Sequence, residues 1–221
     1  MKIIILTAAM VLVTLLANAQ LKGSGKTLTK TFDYQNFDKI NFNDLDGKIE
    51  VEIGLSWSIT VTIDDNLFPL LSFKDNQPEN ELTIYFKENY YNNKYIENSS
   101  VKIKITMPEA SVIKNSGNSD IKVTGITGRY FRIEIAGNGD AVCSGSIDYL
   151  DIEKTGNGDV NAKLIAAKNA KIKSVGNGDV IVNVTENITA KNTGNGDVKN
   201  TGKAKFDDAS KSQGNGELIE L

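Results

Sequence analysis

The chain has no histidine, a single cysteine, three prolines and one tryptophan. Without histidine, the serine and cysteine triads that use an imidazole base are excluded, as are the common His-containing zinc sites. Cys143 has no partner for an internal disulfide, so stability must come from packing and the hydrogen-bond ladder. Arginine is nearly missing as well. Arg129 and Arg132 are the cases in the second half, which leaves Arg-assisted lyase chemistry little to work with. Basic residues are not in surplus either: 25 Lys and Arg against 28 Asp and Glu give a net charge of −3. That balance argues against nucleic acid as a partner, because phosphate binding needs clustered cations.

The first residues point to export. Met1-Lys2 is a short basic start, Ile3 to Leu16 is almost wholly apolar, and Ala17-Asn18-Ala19 is a small-x-small cleavage pattern. Residues 1–19 therefore read as a secretory signal peptide. The apolar run is shorter than the ~20 residues that a spanning helix needs. The residue directly after the cleavage point is Gln20 and not cysteine, which disfavours an acylated lipoprotein, and no transmembrane segment is expected after cleavage.

The remaining length suits one domain with a continuous core. Residues 20–31, polar and glycine-containing, read as a flexible leader to a single domain over 32–221. Its first part, 32–110, carries alternating apolar runs at Ile40–Phe42, Lys48–Ile53, Ser58–Ile63, Leu82–Phe86 and Val101–Ile105, all expected as half-buried strands. Asp46-Gly47 and Asp64-Asp65-Asn66 supply turns. Asn66 to Phe73 contains Pro69, so any helix there is short. A Tyr-rich insertion, 88–100, reads as a long loop or a ragged hairpin tip.

From 111 to 221 one tetrapeptide recurs in phase. Its copies are Gly117-Asn118-Ser119-Asp120, Gly137-Asn138-Gly139-Asp140, Gly156-Asn157-Gly158-Asp159, Gly176-Asn177-Gly178-Asp179, Gly194-Asn195-Gly196-Asp197 and Gly214-Asn215-Gly216-Glu217. Their first glycines are 20, 19, 20, 18 and 20 residues apart. A period of that size marks stacked coils, none of which buries its apolar face alone. Aligned on the glycine, Ile113, Ile133, Ile152, Ile172, Ala190 and Ser210 form one column. Ile121, Ala141, Val160, Val180, Val198 and Leu218 form a second, and Val123, Cys143, Ala162, Val182, Asn200 and Glu220 a third. Residues i and i+2 of a strand share a face, so these columns are expected to point inward and stack at the strand spacing of about 4.8 Å.

Two architectures suit such a turn. Asn-Gly between alternating runs is a strong hairpin signal. Alternatively the turn is the corner of a coil, with the glycines supplying unusual φ and the asparagines stacking as an amide ladder. The coil is favoured, because the second bend of each repeat (Gly145-Ser146, Ala166-Ala167-Lys168, Glu186-Asn187, Gly202-Lys203) shares no motif. The expected fold is all-β, a single-stranded right-handed parallel β-helix, or β-solenoid, with coils of 18 to 20 residues.

Phe37-Asp38-Lys39-Ile40, the strand Val101 to Met107 ending at Pro108, and the run of Gly-Asn-Gly-Asp corners resemble the bacterial "head GIN" putative auto-transporter adhesin family, a domain of unknown function. The resemblance covers nearly all of the chain after residue 19. It implies a right-handed β-helix exported from the cytoplasm, of the kind found in Bacteroidetes-type bacteria, and it carries over no catalytic residue. The expectation is an exported, non-catalytic adhesin-like or structural module of the cell envelope, located in the periplasm, at the cell surface or secreted. The alternative is a carbohydrate-binding or polysaccharide-active β-helix.

The acidic column Asp120, Asp140, Asp159, Asp179, Asp197 and Glu217 has three readings. Stacked carboxylates repel, by ~1 kcal/mol per pair in water. The first reading is that each Asp accepts N–H groups of its own turn and splays into solvent. The second is that Lys114, Lys173, Lys191 and Lys211, each three residues before a first glycine, neutralise the column. The third is calcium, as in Gly-Gly-x-Gly-x-Asp repeats, but the motif occurs once per coil where that scheme needs two. No cofactor or metal site is therefore expected. A catalytic acid pair would break the repeat, whereas this column obeys it. Tyr90, Tyr91 and Tyr95 of the insertion are the candidate binding residues, for a cell-surface protein or a glycan. The final coil, ending Glu217-Leu218-Ile219-Glu220-Leu221, presents a strand edge suited to self-association.

Overall fold

The computed structural model describes residues 21–54, 56–87, 96, 99 and 101–221. The expected signal peptide and the candidate tyrosines Tyr90, Tyr91 and Tyr95 lie outside the described residues.

The strands are β1 (Thr27–Phe32), β2 (Lys39–Leu45), β3 (Gly47–Ile53), β4 (Ser58–Asp64), β5 (Leu71–Asn76), β6 (Glu81–Phe86), β7 (Val101–Met107) and β8 (Val112–Gly117). They continue as β9 (Asp120–Ile126), β10 (Tyr130–Gly137), β11 (Ala141–Gly156), β12 (Val160–Gly176), β13 (Val180–Gly194), β14 (Val198–Asn200), β15 (Lys211–Gly214) and β16 (Leu218–Glu220). All belong to one sheet wound into a β-solenoid. From β8 onward every neighbouring pair is parallel, with glycine aligned on glycine: Gly117, Gly137, Gly156, Gly176, Gly194 and Gly214 lie one above another. Parallel neighbours one period apart are what a coil requires, and they exclude the hairpin reading.

The pattern of the sequence explains the core. Leu82, Ile40, Ile113, Ile133, Ile152, Ile172 and Ala190 are register partners in succession and all buried. On the other wall, Ile103, Ile49, Ile121, Ala141, Val160, Val180 and Val198 do the same, with Leu218 above them half-buried. Each buried Ile or Val side chain contributes about 1.5 to 3 kcal/mol by leaving water. The charged residues between them face outward, so alternation along each strand becomes two faces of one wall.

The N-terminal part is built differently from a plain continuation of the coil. In space the pair β6/β7 comes first, and β2/β3, earlier in the chain, is inserted between it and β8/β9. Antiparallel strands then close this end: β5 on β6, β4 on β7 and β1 on β4. Rings of Phe32, Tyr34, Phe68 and Phe73 pack together there, and Trp57 lies on Phe37. The leader expected over 20–31 is corrected by this pairing. Thr27 to Phe32 form β1 in full register with Ile59 to Asp64, because Leu28 and Phe32 have apolar surface to rest on. Among the described residues two short 3₁₀ helices interrupt the region. Phe68–Leu70 is the short helix foreseen around Pro69, and Gln77–Glu79 was not foreseen.

Candidate functional site

The Gly-Asn-Gly-Asp corners form one edge of the solenoid, and their chemistry starts from the two glycines. The first glycine of each corner sits at φ between 109° and 137°, a region closed to most side chains. The second glycine has no such φ but no room: a Cβ on Gly158 would stand 2.1 Å from the carbonyl oxygen of Gly139. Ser119 fills that place in the first corner because the coil beneath it turns through Asp44 to Gly47, not through another Gly-Asn-Gly.

With the backbones this close, each corner bonds to the next in three ways. The Asn N–H donates to the first glycine's carbonyl one coil down, as in Asn157 to Gly137 at 2.9 Å and Asn177 to Gly156 at 3.2 Å. The Asn side chains form an amide ladder: Nδ2 of Asn138, Asn157, Asn177, Asn195 and Asn215 donates to Oδ1 of Asn118, Asn138, Asn157, Asn177 and Asn195 at 2.7 to 2.9 Å. The acidic residues form the third link, and here one expectation is corrected. Each carboxylate accepts an N–H from the next coil, not from its own turn: Asp140 N–H to Asp120 Oδ1, then Asp159 to Asp140, Asp179 to Asp159, Asp197 to Asp179 and Glu217 to Asp197, at 2.8 to 3.2 Å. The carbonyl of Asp140 meanwhile accepts from Ile121 N–H, which leaves its own N–H free to point down at Asp120.

The lysines that balance this column are also not the expected ones. Lys114 and Lys173 pair with Glu81 and Glu153 on the opposite side of the corner. Lys199 instead bridges Asp179 and Asp197, at 2.6 and 3.1 Å. Burial pushes the Asp179 carboxyl up, but the bond from Lys199, the N–H of Asp197 and the charges of Lys199 and Lys154 outweigh it and hold its pKa below the ordinary value. Lys154 acts from inside. It is fully buried, its Nζ donates to the Gly156 carbonyl, and burial lowers its pKa against the attraction of Asp159 and Asp179. Lys154 belongs to a column two residues before the first glycine, with Asn115, Ile135, Ser174, Asn192 and Ser212, all buried except the last. Asn115, Asn192 and Ser212 reach the carbonyls of Ser119, Gly196 and Gly216 and so tie those three corners to their own strands.

The wall before the corner carries a different set. Arg132 is held by Glu134, Asp151 and Glu153 together, at 2.5 to 2.8 Å. Beside it Tyr130 and Tyr149, partners in register, are exposed and stack with centroids 6.0 Å apart, and the Tyr130 hydroxyl donates to Asp151. Sequence reasoning missed this pair; two aromatics 19 residues apart at the same phase was the available signal. Cys143 is buried and its thiol is pushed up to about 12, so it is an inert packing residue. Among the described residues no three carboxylates or thiols converge as metal ligands, and no helix is long and apolar enough to cross a membrane.

Known proteins share this architecture. A "putative adhesin" from Bacteroides fragilis NCTC 9343 is 20% identical, with 91% of this chain and 100% of that one covered at a TM-score of 0.69. A "Putative lipid binding protein" from Parabacteroides distasonis ATCC 8503 is 21% identical, covering 92% and 100% at 0.59. A "putative adhesin" from Parabacteroides merdae ATCC 43184 is 20% identical, covering 91% and 99% at 0.52. At these identities the likeness is one of fold. None of the curated proteins compared matches the chain. The family model described as "Putative auto-transporter adhesin, head GIN domain" matches residues 36–204, the span from the first inserted coil to the last bend before β15, and the chain belongs to this family.

Proposed function

We propose that the chain is an exported, non-catalytic adhesin-like module of the bacterial cell envelope, which meets its partner through the outer walls of a rigid solenoid. The observation that carries this reading is the occupancy of the periodic acids. From Asp120 to Asp197 every carboxylate already accepts the N–H of the next coil, and Asp179 and Asp197 also hold Lys199. Glycoside hydrolysis needs one carboxyl kept protonated by a raised pKa. Among the described residues the carboxyls displaced from their ordinary pKa, Glu153, Asp179 and Asp207, all go down. Such acids build the scaffold, and the flat walls between the corners remain for contact.

The carbohydrate-binding reading has one specific support. Tyr130 and Tyr149 offer aromatic surface next to the charged groups of Arg132, Asp151 and Glu153, a combination suited to sugar rings and hydroxyls. Incubating the purified chain with native cell-envelope fractions and with a panel of uronic and neutral glycans tests both readings. Retention on the envelope without release of reducing ends is expected. Release of reducing ends would overturn the non-catalytic reading, and no retention on any fraction would overturn adhesion.

A further inference from the structure

On the wall before the corner, charges of opposite sign pair across neighbouring coils as far as β12. Lys114 pairs with Glu81, Arg132 with Glu134, Asp151 and Glu153, and Lys173 with Glu153. The matching stops at β13. Lys173, Lys191 and Lys211 are successive register partners, all exposed, so three ammonium groups are aligned one per coil. Among the described residues neither Lys191 nor Lys211 has an ion pair, whereas Lys171, on the neighbouring outward row, stands in register with Asp151 and is not part of the file. Like charges directly opposed on adjacent strands are destabilising, so this file is a feature that packing alone does not favour. The corner keeps it apart from the acid column, whose own cation is Lys199.

A cleft of about 410 Å³ opens beside the file, lined by Lys191, Thr193, Asp208, Ala209, Lys211 and Gln213, with the backbone-bonded and buried Asn192 at its floor. Its walls hold two cations, a hydroxyl and an amide, against one carboxylate, and no large apolar side chain. A lipid surface would have nothing to insert into here, whereas a chain of sugars bearing carboxylates would meet a cation and a hydrogen-bonding side chain at each step. The coil spacing of about 4.8 Å is comparable with the length of one sugar in an extended polymer.

We propose that Lys191 and Lys211, with Lys173 at the edge, form a binding site for a linear anionic polysaccharide laid along the solenoid axis. This names a ligand class for the adhesion reading and rests on the chain being a binding module. The measurement is the affinity of the purified chain for polygalacturonate, by biolayer interferometry at several salt concentrations. The salt dependence of affinity counts the cations engaged. Lys191→Gln with Lys211→Gln is expected to weaken binding about tenfold or more and to flatten the salt dependence by about two charges. Lys191→Arg with Lys211→Arg keeps the charge and is expected to keep the affinity. Lys102→Gln with Lys104→Gln, on the outer face of β7, is expected to change it less than about twofold. Unchanged affinity in the Lys191 and Lys211 glutamine pair overturns the site. So does equal binding of the wild type to neutral dextran or to phosphatidylglycerol vesicles. If the chain is retained on envelope fractions but ignores polygalacturonate, this site falls and adhesion stands. If it binds polygalacturonate through these lysines but no envelope fraction, adhesion falls and the site stands.

Discussion

The side-chain amide of Asn157 donates to Asn138 at 2.8 Å while its own carbonyl accepts from Asn177 at 2.7 Å, so one residue holds three coils in register. Asn157→Ala removes both bonds, and each net hydrogen bond contributes about 0.5 to 1.5 kcal/mol. Chemical denaturation should therefore show a loss of about 1 to 3 kcal/mol. Asn215 makes a single ladder bond, to Asn195 at 2.8 Å, and Asn215→Ala should cost about half as much. Equal losses at the two sites would mean that the ladder does not carry the stability assigned to it.

The second glycine of the corner makes a sharper test, because it separates space from conformation. Gly158 has no unusual φ, yet an added Cβ meets the Gly139 carbonyl at 2.1 Å, and backbone cannot move aside without opening the coil stack. Gly158→Ala is expected to destabilise by about 3 kcal/mol or more. Ser119→Gly, which restores the repeat where the coil below permits a side chain, should change stability by less than about 1 kcal/mol, since the serine hydroxyl it deletes is buried without a partner. Thermal melts of the two variants check the contrast.

Acid should loosen the stack in a defined window. The bond from Lys173 holds Glu153 below its ordinary pKa, that from Thr189 does the same for Asp207, and Asp179 is lowered by Lys199 against its own burial. A carboxyl depressed in the folded state adds stability that is complete above its unfolded value, about 4, and is lost as pH falls through the lower folded value. The unfolding midpoint should thus be flat from neutral pH down to about 5 and fall below about 4. In Asp179→Asn the fall should be shallower. An identical acid limb in that variant would sever Asp179 from the effect.

How far the residues alone disclosed this molecule differs from place to place. The period and its phase located Ile113, Ile133, Ile152 and Ile172 as one ladder, because a parallel coil repeats its register whenever the glycines do. The same alignment foresaw the stacked asparagines. It could not tell which neighbour Asp140 bonds, since own-turn and next-coil N–H groups are both within reach of a short side chain. Lysines at a fixed offset from the glycine suggested a match with the acids, but the corner turns the two columns onto different walls, and Lys199 reaches the acids from the same wall. The N-terminal end was read least well. Chain order and spatial order part company there, and nothing local in Thr27 to Phe32 states that β4 will offer them an edge.

Asn200 follows Val123, Cys143, Ala162 and Val182 in an inward column, where a polar side chain would by itself weaken an apolar core. The structure gives it a different part. Its Oδ1 accepts from the N–H groups of Val184 and Gly202, and its Nδ2 donates to the carbonyls of Val184 and Ala204, so it clasps the bend where the strand ladder stops. Asn200→Ala would remove all four bonds, though the Val184 carbonyl keeps the Ala204 N–H, and each buried polar group left unpaired costs about 1 to 3 kcal/mol. A loss of about 3 kcal/mol or more is expected by denaturation, larger than for Asn157→Ala, with faster amide exchange at Val184 than at Val160.

Lys154 tests the opposite case, a buried charge whose partners only partly compensate it. Burial lowers its pKa, and Asp159 and Asp179 offset this in part. Between that lowered value and the ordinary one near 10.4, the unfolded chain binds a proton that the folded chain has released, so stability should rise with pH across this interval. Lys154→Met keeps the length of the side chain and removes the charge. At pH 7 it should be neutral to about 2 kcal/mol more stable than the wild type, because apolar replacements of buried ions are often stabilising. The alkaline rise should vanish with it. If Lys154→Met is instead less stable by more than about 2 kcal/mol at pH 7, the ammonium is holding Asp159 and Asp179 in place from within, and its attraction to the acid column exceeds the cost of its burial.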